Sequence, residues 1–138
     1  YTKNESIFKI IYENLPIWNL NSFAENYMEI ALKFKSELAD SFKIAKKDRE
    51  YLIKNLKEIS FISKVYDSAG SFVTFKIDND EINKNLRSHL LLKHNIYIKK
   101  LNNSGLEKSN YFRVALVSKP EINTLINVLK EYSLTRNS

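Results

Sequence analysis

Phe61-Ile62-Ser63-Lys64-Val65-Tyr66-Asp67-Ser68-Ala69-Gly70-Ser71-Phe72-Val73-Thr74-Phe75-Lys76-Ile77 is the stretch in which the apolar period of this chain changes from 3.6 residues to 2. Alternation over residues 61–66 and 72–77 predicts two strands, and Asp67-Ser68-Ala69-Gly70 supplies the turn between them. Upstream, Phe23, Tyr27, Ala31, Phe34, Leu38, Phe42, Ala45, Leu52, Leu56 and Ile59 recur at helical intervals behind a Ser22/Glu25 capping box. No Gly or Pro lies between Pro16 and Gly70, so one long helix over residues 22–58 is expected, with room for one bend. At 1.5 Å per residue it would be roughly 50 Å long, more than a small domain covers, so part of it is expected to rest on another domain or subunit. Before it, residues 1–21 read as a connecting helix and loop. The helix starts at a Thr2/Glu5 capping box and is stopped by Pro16.

Downstream, Asp78 and Glu81 restart a helix carrying Ile82, Leu86, Leu90 and Leu91. Lys93 and His94 stand at its negative end and Asn95 is its stop. A short strand, Ile96-Tyr97-Ile98, follows. After a loop comes the strand Tyr111-Phe112-Arg113-Val114-Ala115-Leu116-Val117. Ser118-Lys119-Pro120-Glu121 then opens a last helix with Ile122, Leu125, Ile126 and Leu129 inward. The expected class is α+β: a small, mostly antiparallel sheet of three or four strands with helices packed on it, preceded by one long helix.

With 138 residues the chain is of single-domain size, and 43% hydrophobic residues exclude a disordered tail. The absence of cysteine excludes disulfides and thiolate chemistry and suits a reducing cytosol. No run of about 18 apolar residues is present to span a membrane. The net charge of +6, from 22 basic and 16 acidic side chains, invites a nucleic-acid reading. Its densest group, Lys43, Lys46, Lys47 and Arg49, is diluted by Asp48 and Glu50 on a solvated helix face. The start on Tyr1-Thr2-Lys3-Asn4-Glu5, without methionine and already reading as a helix start, suggests a piece of a longer protein.

Arg113 is the residue with the clearest chemical demand. A cation within an apolar run is costly to bury unless an anion meets it. An arginine fork can hold a carboxylate through two parallel hydrogen bonds. The anion could be a ligand or an internal Asp or Glu; alternatively the side chain lies on the solvated face of an edge strand. His89 and His94 are five apart, which is not the spacing of a helical zinc pair. There is no phosphate-cradling glycine loop, no nucleophile elbow and no Asp cluster. Trp18, in a loop beside two asparagines, either anchors that loop or lines a site. Tyr27, Tyr51 and Tyr132 fall on core stripes.

Four segments in order, Leu15-Pro16-Ile17-Trp18-Asn19-Leu20-Asn21-Ser22-Phe23-Ala24-Glu25, Ala69-Gly70-Ser71-Phe72-Val73-Thr74-Phe75, Ile96-Tyr97-Ile98-Lys99-Lys100-Leu101-Asn102-Asn103-Ser104-Gly105-Leu106 and Tyr111-Phe112-Arg113-Val114-Ala115, resemble the C-terminal part of fold-type I pyridoxal-phosphate enzymes. The closest likeness is to the histidinol-phosphate aminotransferase and threonine-phosphate decarboxylase branch of class I/II aminotransferases. The resemblance implies that Arg113 grips the substrate's carboxylate and that Lys99 stands where the family commonly has an arginine near a phosphate or carboxylate. Trp18 and Asn21 would shape the mouth of the site, with loop anchoring as the structural alternative for them.

The same resemblance implies that the lysine and the other residues holding pyridoxal phosphate lie in a large domain upstream of Tyr1. This chain, residues 1–138, would then be the C-terminal small domain, with residues 59–138 as its αβ sandwich. It would be inactive alone, with no catalytic, cofactor-binding or metal residue of its own. Its partners would be an amino-acid substrate, its own N-terminal large domain and a second subunit of a cytoplasmic homodimer, without nucleic acid or membrane. The alternatives are a non-catalytic interaction domain and a basic RNA-binding α+β module. The latter is weakened because the strands carry no K/R-G-F/Y-G/A-F-V-x-F/Y pattern and no aromatic pair in its place.

Overall fold

Asparagine side chains start the first two helices in this computed structural model, which describes residues 2–15, 20–101 and 110–135. Asn4 Oδ1 accepts from the N–H groups of Ser6 (3.0 Å) and Ile7 (3.2 Å) to open α1 (Glu5–Glu13). Asn21 Oδ1 accepts from the Ala24 N–H (2.9 Å) to open α2 (Ser22–Ala31). A short polar side chain that satisfies an orphan first-turn N–H explains why asparagine sits at both positions. Thr2, expected to cap α1, stands two residues before the cap and accepts from the Asn4 N–H instead.

The chain divides into two compact units, Tyr1–Asp40 and Ser41–Ser138. In the first, neither α1 nor α2 has a buried residue. The stripe expected to form one helix is divided at residues 32–34, where α2 ends and α3 (Lys35–Lys57) begins. Lys33 N–H bonds Ile30 O (2.9 Å) and Phe34 N–H bonds Ala31 O (3.1 Å). These i→i−3 bonds tighten the last turn and end the helix without glycine or proline. Leu32 and Phe34 are exposed, so no core packing holds the rod continuous across that turn.

The second unit contains the sheet. Strands β1 (Lys64–Tyr66), β2 (Phe72–Lys76), β3 (Lys99–Lys100) and β4 (Tyr111–Ala115) lie in the order β1-β2-β4-β3, all antiparallel. Side chains alternate across a strand. Val73, Phe75 and Ile77, with Phe112 and Val114, enter one core with Leu52 and Leu56 of α3, Leu86 and Leu90 of α4 (Asp80–His94) and Ile122, Ile126 and Leu129 of α5 (Lys119–Leu134). Phe75 and Phe112 stack with ring centres 5.7 Å apart. Burying each such side chain contributes about 1.5–3 kcal/mol. The architecture is α+β, with a four-stranded antiparallel sheet and helices on one face.

One loop departs from the pattern read in the sequence, and the start of α5 follows it. Asn95 adopts the left-handed conformation at φ 56° and ends α4 as expected. Its own N–H bonds Leu91 O at 3.1 Å, the single 5→1 bond of an αL stop, and the next N–H, of Ile96, bonds back to Leu90 O at 3.0 Å. The strand expected at residues 96–98 is therefore absent, and the ladder to β4 begins only at Lys99. At the start of α5, Glu121 Oε2 accepts from both the N–H (3.1 Å) and the Oγ–H (2.6 Å) of Ser118. Tyr51 of α3 donates to Asn123 Oδ1 of α5 at 2.9 Å, and Lys119 pairs with Asp48 at 3.7 Å, tying the two helices.

Candidate functional site

The uncovered face of the sheet carries the residues that alternate with the core set: Tyr66 on β1, Phe72, Thr74 and Lys76 on β2, Tyr111 and Arg113 on β4, and Lys99 on β3. Register sets Arg113 opposite Thr74 on one side and opposite Lys99 on the other. β4 is an inner strand, so Arg113 is not an edge residue. Strand alternation turns its side chain away from buried Phe112 and Val114 to a half-buried position on the open face. The desolvation cost that its apolar neighbours suggest is thereby largely avoided.

Ser71, Phe72, Tyr97, Lys99, Arg113 and Ala115 line a concavity of about 470 Å³ over this face. Lys99 is exposed and Arg113 half-buried. Among the described residues no carboxylate comes within ion-pair distance of either. The internal Asp or Glu partner considered for Arg113 is therefore not found among them. Like charges directly opposite on neighbouring strands destabilise a sheet, and a bound anion would relieve that repulsion. Arg113 also lies against Phe72, its guanidinium carbon 4.9 Å from the ring centre.

Asn21 and the remaining candidates belong to other elements. Asn21 is the exposed N-cap of α2, a role that already uses its side-chain oxygen. Trp18 lies outside the described residues. Tyr132 is buried as expected, Tyr51 is half-buried, and Tyr27 is exposed. His89 and His94 lie on α4 with ring centres 5.4 Å apart, and His89 packs on Tyr132 at 4.6 Å. Among the described residues no group of three or more His, Cys, Asp or Glu side chains could hold a metal ion.

Sequence reasoning missed an aromatic pair. Tyr66 and Tyr111 meet on the open face with ring centres 5.9 Å apart, with Lys64 Nζ 4.8 Å from the Tyr66 ring. A hydrogen bond to Tyr111 is the main cause that pushes the Tyr66 hydroxyl above its usual pKa. The two lie on β1 and β4, separated by β2, and only the sheet order joins them. On the same face, Lys76 is paired with Asp78. Among the described residues Arg113 and Lys99, like Lys64, have no carboxylate within ion-pair distance and are open to an added anion.

Among the described residues, the lining of this concavity does not fit pyridoxal phosphate: it has no carboxylate to meet a pyridinium nitrogen, and its one lysine, Lys99, is exposed. The arrangement can bind and orient an anion.

A sheet of this order with helices on one face occurs as part of longer solved enzymes. The structure matches that of histidinol-phosphate aminotransferase from Clostridium acetobutylicum with a TM-score of 0.75 and 27% identity, over 97% of this chain and 40% of that one. L-threonine-O-3-phosphate decarboxylase from Porphyromonas gingivalis shares the fold at a TM-score of 0.68 and 16% identity, over 94% and 39% of the two chains. The description "Aminotransferase class I and II" matches residues 19–129, and the chain belongs to that family. Within it, the likeness runs to the histidinol-phosphate aminotransferase branch. The enzyme of that name from Clostridium novyi is 30% identical over 92% of this chain and 34% of its own length. An adenosylcobalamin biosynthesis bifunctional protein of Leptospira interrogans is 33% identical over 84% of this chain and 13% of its own. The chain thus spans about a third of the aminotransferases it matches, and less of the bifunctional protein.

Proposed function

We propose that this chain is the C-terminal, substrate-gripping domain of a longer pyridoxal-phosphate-dependent aminotransferase. Its substrate is an amino acid or a phosphorylated amine of the histidinol-phosphate kind. The observation that carries the reading is the cross-strand pair of Lys99 and Arg113, two cations facing each other on an open concavity with no described carboxylate near them. Arg113 supplies the planar fork and Lys99 a point charge beside it, a pair suited to a carboxylate or to a doubly charged phosphate. Holding the substrate by its anion fixes the reacting bond relative to the rest of the site, a contribution of position rather than of proton transfer.

The cofactor that the family uses is held by the other part of the polypeptide. The fragment alone is inactive, and the exposed apolar faces of α1 and α2 suit packing against the large domain. The full-length enzyme is a cytoplasmic homodimer in this reading. Measured on the full-length, cofactor-loaded enzyme with histidinol phosphate or L-glutamate as amino donor, Arg113→Lys lowers kcat/KM by about 2–4 kcal/mol, mostly through KM. An unchanged kcat/KM would take Arg113 out of the substrate site.

A second reading is favoured by one observation, the Tyr66–Tyr111 pair with Lys64 on the open face, which offers stacking surface and charge to single-stranded RNA. Salt-sensitive binding of a short single-stranded RNA, abolished by Tyr66→Ala, would support it.

A further inference from the structure

We infer that Phe72 is a positioning residue for Arg113, its ring fixing the direction in which the guanidinium fork points across the open face; this rests on the anion-binding reading above. Register places Phe72 opposite Ala115, and Arg113 opposite Thr74. Phe72 is therefore the diagonal neighbour of Arg113, within reach of a long side chain. With the guanidinium carbon 4.9 Å from the ring centre, Arg113 leans toward the Ser71/Ala115 end of the strands. Tyr97 lines the concavity with these residues, Lys99 stands directly across from Arg113 on β3, and Tyr111 lies toward the other end of β4.

The contact uses the ring's negative face and leaves the arginine's in-plane N–H donors for a ligand. An unstacked arginine has several rotatable bonds to freeze when it grips an anion; one already held on a ring has fewer, so binding costs less. Phe72 is 39% exposed, and burial in the core does not account for it.

The ring is itself held. A Cβ added at Gly70 would lie 3.2 Å from Phe72 Cε1, closer than ordinary van der Waals contact, so the missing side chain of Gly70 leaves the space the ring occupies. Arg49 of α3 donates from Nη1 to the carbonyls of Ala69 (3.4 Å) and Gly70 (3.3 Å), tethering the turn. Leu116 N–H bonds Ser71 O at 2.8 Å and fixes the backbone just before Phe72. The series Arg49, Gly70, Phe72 and Arg113 thus links α3 to the fork.

The test uses the full-length, cofactor-loaded protein and inorganic phosphate as probe, with dissociation constants from calorimetry. Phe72→Leu weakens phosphate binding by about 3- to 30-fold, the range of a cation–π contact. Phe72→Tyr, which keeps a π face, restores it to within about twofold. Phe72→Leu added to Arg113→Lys weakens binding no further than Arg113→Lys alone, because the ring acts through the fork. Failure of Phe72→Tyr to rescue, or full multiplication of the two effects, would overturn the role of Phe72 while Arg113→Lys alone still weakens binding. If wild-type protein does not bind phosphate, or Arg113→Lys binds it as well as wild type, the anion-binding reading falls and takes this inference with it.

Discussion

The two compact units obey the same helical pattern and bury very different amounts of it. In Tyr1–Asp40, Phe23 lies on the apolar stripe of α2 and is 86% exposed; in Ser41–Ser138, Leu52 and Leu56 lie on the stripe of α3 and are fully buried. Periodicity says which side of a helix is apolar, while burial also needs something to cover that side. The second unit carries its cover in its own sheet and helices, whereas α1 and α2 have no buried residue at all. Under the proposed function the missing cover is the large domain.

Matched truncations in the two units carry the largest expected difference. Phe112→Ala, at a fully buried position stacked on Phe75, is expected to cost about 3–5 kcal/mol in urea unfolding of the chain. Phe23→Ala should change it by no more than about 0.5 kcal/mol. A loss above 1 kcal/mol at Phe23 would mean that α2 finds cover within the 138 residues. In the full-length polypeptide the same Phe23→Ala is expected to cost about 3 kcal/mol if the large domain packs there.

Helix endings are the next contrast. α4 ends on Asn95 in the left-handed region, at φ 56°, whereas α2 ends on Leu32 in the ordinary right-handed region. A β-branched side chain is strained where Asn95 sits, so Asn95→Val should destabilise by about 1–2 kcal/mol, and Asn95→Gly should be neutral or better. Leu32→Val, with no such geometry to satisfy, should be within about 0.5 kcal/mol of wild type. Thermal unfolding of the three variants measures both sides. Equal effects at Asn95 and Leu32 would remove the distinction.

These contrasts mark how far the residues could be read in advance. The period change across residues 61–77 and the apolar run around Arg113 are local signals, and both correspond to strands, β1, β2 and β4. The end of α4 was legible in Asn95, but the same residue misled about its neighbours. Ile96-Tyr97-Ile98 alternates like a strand, yet a bond back to Leu90 O takes the Ile96 N–H before a ladder can use it. The break at residues 32–34 had no glycine or proline to announce it, because short-range i→i−3 bonds end the helix there. The site itself was only half legible. Arg113 stood out by the cost of its setting, while the position of Lys99 was implied by resemblance and its register opposite Arg113 needed the ladder. Phe72 and the Tyr66–Tyr111 pair depend on strand order and diagonal neighbours, which no single segment encodes.

The smallest expected effect separates the start of α5 from those of α1 and α2 by pH. The side chains that cap α1 and α2 are amides, Asn4 and Asn21, which do not titrate, whereas the start of α5 is closed by the Glu121 carboxylate. Its bonds from the Ser118 hydroxyl, first, and the Ser118 N–H, second, hold the Glu121 carboxyl below its ordinary value. A carboxyl with a lower pKa folded than unfolded contributes stability above its ordinary value of about 4.3, and loses it as pH falls through the folded value. Unfolding midpoints of the second unit should therefore be flat from neutral pH down to about 5 and fall below that, less steeply in Glu121→Gln. Asp78 is lowered mainly by its bond from Lys76 and next by Ser63, has the same sign, and leaves a residual slope in that variant. A wild-type acid slope matched by Glu121→Gln would mean that the hydroxyl and amide bonds to Glu121 do not distinguish the folded from the unfolded chain. The start of α5 would then be no more sensitive to acid than the amide-capped helices of the first unit.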